Sequence, residues 1–155
     1  MSFNPFAPEG AIITRLKSDV TLVSTTQGIY NTVAIDGDGS DITIGVGKQP
    51  FVVLTHVSGT FGNSTFRTNI ASSVYQVSVF DHKGNGAVPA QTVAGRVFGN
   101  SEGTNNTPTF GLARWKMTGV TDMADITVVP ESYGTLHDAE ALHYWMTFSI
   151  ENVEA

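Results

Sequence analysis

The chain has 155 residues, with 8 Lys+Arg against 14 Asp+Glu, a net charge of −6 and no cysteine. That length suits a single domain spanning 1–155, which at about 150 residues buries roughly 70% of its unfolded surface without disulfides or metals. The composition excludes disulfide frameworks, thiolate metal sites and cysteine nucleophiles. The sparse cations, running from Arg15 to Lys116, form no basic stripe of the kind that neutralises phosphates.

Charged residues make up 14% of the chain, against about 25% in an average globular domain. Ser, Thr, Asn and Gly take their place, as expected of a β-rich surface or of one largely covered by neighbouring subunits. Residues 1–7 read as an N-terminal arm bearing Phe3 and Phe6, without the basic and apolar regions of a signal peptide. No apolar run approaches the ~20 residues that cross a bilayer, so the expectation is a soluble, intracellular protein with no membrane contact.

From Pro8 to about Val23 the spacing predicts one amphipathic helix, with Ile12, Ile13, Leu16, Val20 and Val23 on its inner face. Pro8 and Glu9 suit the first turn, where the missing N–H is harmless and a carboxylate meets the positive end of the dipole. The segment Asp36-Gly37-Asp38-Gly39-Ser40-Asp41 imitates the start of a calcium loop. It fails where Asp41 replaces the turn glycine and Gly47 the bidentate Glu, so a solvated acidic turn is expected there.

Pro50 cannot donate a ladder bond and sits naturally at a strand's first residue. Residues 51–57 are nearly continuous in apolar and β-branched types, as in a strand covered on both faces. A flexible loop is expected over 58–68, holding Phe61, Phe66 and Arg67. Residues 74–80 alternate, with Tyr75, Val77 and Val79 facing one way and Gln76 and Ser78 the other. A turn at 81–86 precedes a second helix over 87–98, with Ala90, Val93, Ala94, Val97 and Phe98 on one face and Gly99 at its end.

A second flexible loop is expected over 99–111, then a strand over 109–120, and a loop or short strand at 126–130. Leu142, Tyr144, Met146, Phe148 and Ile150 alternate with polar and small residues, the cleanest period of two in the chain. Together these elements predict an α+β fold: an antiparallel or mixed sheet of about four strands, with two helices packed on one face.

Positive signs of chemistry are absent. His56, His82, His137 and His143 make no metal-binding pattern, and His137-Asp138 with Glu140 has the spacing of an ordinary turn. Neither a nucleophile elbow nor a phosphate-cradling loop occurs; Gly45-Val46-Gly47-Lys48 lacks the spacing and the following hydroxyl residue. The reading is a protein that assembles, with no cofactor, no metal and no catalytic residue.

The succession of Leu16-Lys17-Ser18-Asp19, Gly28-Ile29-Tyr30-Asn31, residues 49–54 with a trailing Val57-Ser58-Gly59-Thr60, residues 75–80 before a helix, and a closing strand over 144–150 resembles the tail-terminator, or tail-completion, proteins of tailed bacteriophages. The resemblance covers most of the chain and consists of hydrophobic positions and length. It implies an α+β subunit in a ring, commonly of six copies, that caps the tail tube and joins it to the neck or head-completion protein. Genomic DNA would pass the lumen without specific binding, and the protein would reside in the virion after assembly in the host cytoplasm. The expected oligomer contacts are Phe3 and Phe6 on the arm, with Phe61, Phe66 and Arg67 on the 58–68 loop. Rival expectations are a head-completion ring, a tail-tube subunit, or a calcium-binding α+β domain using Asp36, Asp38 and Asp41.

Overall fold

The computed structural model describes residues 3–62, 70–100, 109–120 and 123–153. Two helices lead the chain, α1 (Pro8–Lys17) and α2 (Val20–Ser24). The strands β1 (Ile29–Asn31), β2 (Phe51–Phe61) and β3 (Ile70–His82) follow, then a short 3-10 turn (Lys83–Asn85) and α3 (Val88–Phe98). A two-stranded ribbon, β4 (Lys116–Met117) and β5 (Ile126–Thr127), precedes the closing pair β6 (Val129–His137) and β7 (Ala141–Val153). The main sheet has the order β1-β2-β3-β7-β6, with β1 parallel to β2 and every other pairing antiparallel. The α+β class is as expected; the sheet is mixed and has five strands rather than four.

One face of that sheet carries the core. Val52 and Leu54 of β2, Tyr75, Val77 and Val79 of β3, and Met146, Phe148 and Ile150 of β7 all project to it and are buried. The helices close over this face with Ile12 and Leu16 from α1, Leu22 from α2, and Ala90, Val93 and Val97 from α3. Each fully buried aliphatic side chain here contributes about 1.5–3 kcal/mol relative to exposure. Leu112, Met117, Met123, Ile126 and Val128 complete the layer, so the ribbon segment serves as cover.

The single helix expected over residues 8–23 is two. Asp19 adopts an extended backbone and caps α2 by accepting from the Leu22 N–H at 3.4 Å, while its carboxylate takes both Nε and a terminal NH2 of Arg96 at 2.7 and 2.9 Å. Those bonds reward a break that the apolar spacing alone does not signal. The break turns Val20 out to 80% exposure and places Leu22 inside instead.

Three further expectations change. Residues 58–61, expected in a flexible loop, belong to β2 and pair with residues 71–74 past a bulge at His56/Ser58; positions 63–68 of that loop lie outside the described residues. The strand expected over 109–120 is a series of turns with only Lys116 and Met117 in a ladder, because Gly111, Arg114 and Gly119 take positive φ, which ends an extended run. The loop expected over 99–111 is pinned at both ends. The Leu112 N–H reaches Val97 O, the Ala113 N–H reaches Phe98 O, and Gly99 and Gly111 approach so closely that a Cβ on either would strike the other strand of backbone. Residues 101–108 lie outside the described residues.

Candidate functional site

The sheet has two unlike margins. On one side β1 covers only Val52, Val53 and Leu54 of β2, because Thr32, at φ 66°, turns the chain away. Residues 55–61 of β2 then run on with no outer strand partner among the described residues. On the other side β6 is the last strand among the described residues, paired there only to β7, and exposed at every position except the half-buried Gly134. Edges of this kind are normally blunted by lysine, proline or an inward charge. Here Pro130 stands near one end of β6, and Glu131 is the only carboxylate or ammonium on either free stretch; its Oε1 accepts from the Ser149 hydroxyl at 2.7 Å.

Beside β6, on the helix-bearing face, lies an open apolar groove of about 600 Å³ between α3 and the strand pair β6–β7. Ala94 and Phe98 of α3 form one wall, and Tyr133, Tyr144, Met146 and Phe148 the floor and far wall. Tyr133 is 85% exposed. The groove exists because α3 packs over β3 and β7 and stops short of β6. Across the sheet, Gly134 leaves room for the Trp145 ring, which a Cβ would strike. That close approach is a use of glycine inside a strand.

The helix-free face divides into two parts. At its lower end Tyr30, Phe51, Phe80 and His143 form a continuous aromatic row, with Phe51 and Phe80 stacked at 5.3 Å and Phe80 and His143 at 4.3 Å between ring centroids. Burial holds the His143 pKa below the ordinary histidine value. Above that row Thr55, Gln76, Thr147 and Ser149 present uncharged polar groups, with the Trp145 ring beside the buried Ser78. None of the five strands contains a Lys or Arg.

Of the residues expected to make contacts between copies, the structure brings two together. Phe6 is 54% exposed, its ring edge-on to His56 at 5.1 Å, and His56 meets Tyr75 in the same way at 5.0 Å. Phe61, 77% exposed, lies at the end of β2 and shares a small depression with Phe6, His56 and Gly59. Phe3 is half-buried against the core, and the Asn152 side chain donates to Pro5 O at 3.1 Å. The arm is thus tied down within its own chain over residues 3–7. Phe66 and Arg67 lie outside the described residues.

Two of the acidic turn's three carboxylates bond its own backbone. Asp36 Oδ1 accepts from the Gly37 N–H at 2.7 Å and Asp38 Oδ1 from the Ser40 N–H at 2.9 Å, and the Ser40 bonds lower the Asp38 pKa. Among the described residues no group of three His, Cys, Asp or Glu side chains is placed to hold a metal ion. Asp138 likewise caps the β6–β7 turn, accepting from the Glu140 and Ala141 N–H groups at 2.9 and 2.7 Å.

Sequence reasoning missed β6 and Tyr133. A signal was available in Tyr133, Thr135 and Leu136, β-favouring residues leading into the Asp138 turn and a strong strand; the exposed, half-polar pattern of β6 hid it. No protein-family model matches this chain, and no curated protein matches it at a significant level.

Proposed function

We propose that this chain is a virion structural subunit of the tail-terminator kind, which assembles into a ring, caps the tail tube and joins it to the neck. The observation that carries the reading is a five-stranded sheet without a single Lys or Arg, bare of helices on one face and flanked by an open apolar groove. An exposed apolar groove on a charge-poor domain is the sort of surface that protein contact covers. A sheet face without Lys or Arg would let a duplex slide past, since the phosphate backbone is gripped by cations that this sheet lacks.

Electron microscopy of the purified protein tests the proposal. Discrete single-layer rings support it. Long cylinders would favour a tube subunit instead, and uniformly monomeric particles would contradict it.

A further inference from the structure

We propose that the free stretch of β2, residues 55–61, pairs with the β6 edge of a second copy, so that the main sheet continues from subunit to subunit around a ring. The inference rests on the ring reading and specifies its interface. Strand polarity is the first support. Counting across the order β2-β3-β7-β6, three antiparallel steps leave β6 running opposite to β2. A rotation about an axis lying roughly along the strands would set β2 of one copy beside β6 of the next as an antiparallel pair. Such a contact is head-to-tail, the type that generates rings when the rotation closes.

Both stretches are of matching scale. Residues 55–61 extend about 23 Å and β6 about 30 Å at ~3.3 Å per residue. Because β1 occupies the outer edge of β2 only at Val52, Val53 and Leu54, pairing is displaced toward Phe61. A stagger of this kind is what tilted strands need to close.

Side chains supply the second support. Phe61 pairs with Ala71 and therefore lies on the helix-bearing face, as does the docked ring of Phe6. The groove beside β6 opens on that same face. The proposed rotation keeps faces aligned. Within one copy Tyr133 stands level with Leu54, and Phe61 lies about 20 Å further along. Strands tilted to the axis by that stagger bring the Phe6/Phe61 ledge of one copy against the Phe98/Tyr133 groove of the next. Aromatic side chains bury about 150–250 Å² each. With Phe6 54% and Phe61 77% exposed, the two rings and the seven-residue edge supply part of the about 800 Å² per partner of a standard interface. A two-fold pairing of β6 with β6 would instead set groove against groove and leave residues 55–61 unused.

The cysteine-free chain makes disulfide trapping a clean test. Thr60 lies opposite Ser72, Ser132 opposite Thr147 and Leu136 opposite His143, so all three occupy the helix-free face, and all are exposed. Thr60→Cys is mixed with Ser132→Cys or Leu136→Cys and oxidised mildly. The interface predicts disulfide dimers in at least one mixture and none from any variant alone, since bridged Cα atoms must lie within about 7 Å. The matching double variant should give a ladder of covalent oligomers ending at the ring. Cross-links between identical positions, or a ring that yields none, would overturn this interface while leaving the ring intact. A wild-type chain that stays monomeric would overturn the ring and the interface together.

Discussion

The two sides of the sheet are built from the same strands and end in opposite conditions. Under α1 and α3, the centre of the sheet buries Val52, Leu54, Tyr75, Val77 and Phe148 at 1% exposure or less. At the β6 margin, Val129, Tyr133 and Leu136 stand 47–85% exposed, and Tyr133 lines a groove that α3 borders without covering. The centre is where the chain stores its stability. The margin contributes little to the lone subunit and leaves its apolar groups for something else to cover.

Breaking the centre should have the largest effect. Phe148→Ala removes a buried ring and leaves a cavity, and is expected to cost about 3–5 kcal/mol in urea unfolding of the subunit. If the cost were under about 1 kcal/mol, the helix-covered face would not be the core described here.

The Asp19–Arg96 pair should come next. Asp19→Ala removes both the α2 cap and the partner of Arg96, and a loss of about 1–2 kcal/mol is expected from the cap. Burial alone would raise the Asp19 pKa, but the hydrogen bonds and charge of Arg96 and the Leu22 and Thr21 N–H groups outweigh it and hold the carboxyl below its ordinary value. Its stabilisation is therefore complete above the unfolded value of about 4 and is lost as pH falls through the lower, folded pKa. Wild type should lose stability over that acid window more steeply than Asp19→Ala, as measured by thermal melts across pH.

A smaller, separable effect is expected at His143. Its folded pKa lies below the unfolded value of about 6.5, so the unfolded chain takes up the proton first and stability falls as pH drops below that value. His143→Phe keeps a ring against Phe80 and should flatten the melting curve as pH falls below about 6.5. An unchanged slope would place the dependence elsewhere.

The sequence displayed the centre far better than the margin, for physical reasons. Burial on one face forces strict alternation, so Leu142, Tyr144, Met146, Phe148 and Ile150 announced β7, and Val93 and Val97 announced α3. The groove side has no such constraint. Residues 129–137 expose both faces, so no period marks them, and β6 follows only from its partner. The Asp19 break was hidden because a cap and a salt bridge to Arg96, 77 positions away, leave no local hydrophobic trace. Of the expected contact residues, Phe6 and Phe61 do converge. Phe3 serves its own subunit's core, so removing residues 1–7 would disturb folding as well as assembly and cannot isolate a contact.

The smallest stability effects should fall on the margin itself. Phe61→Ser and Tyr133→Ser are expected to change subunit stability within about ±0.5 kcal/mol, as exposed positions do. Each should nonetheless reduce self-association by at least tenfold in sedimentation equilibrium. Loss of stability with association unchanged would reverse the assignment of the two regions.

The most direct test of the account is the mass of the wild-type protein in dilute solution by light scattering. The account predicts one discrete species at a multiple of the 16.5 kDa chain mass, with six copies expected, holding that mass over a tenfold dilution. A monomer at 16.5 kDa, or a mass that grows without limit as concentration rises, would contradict it.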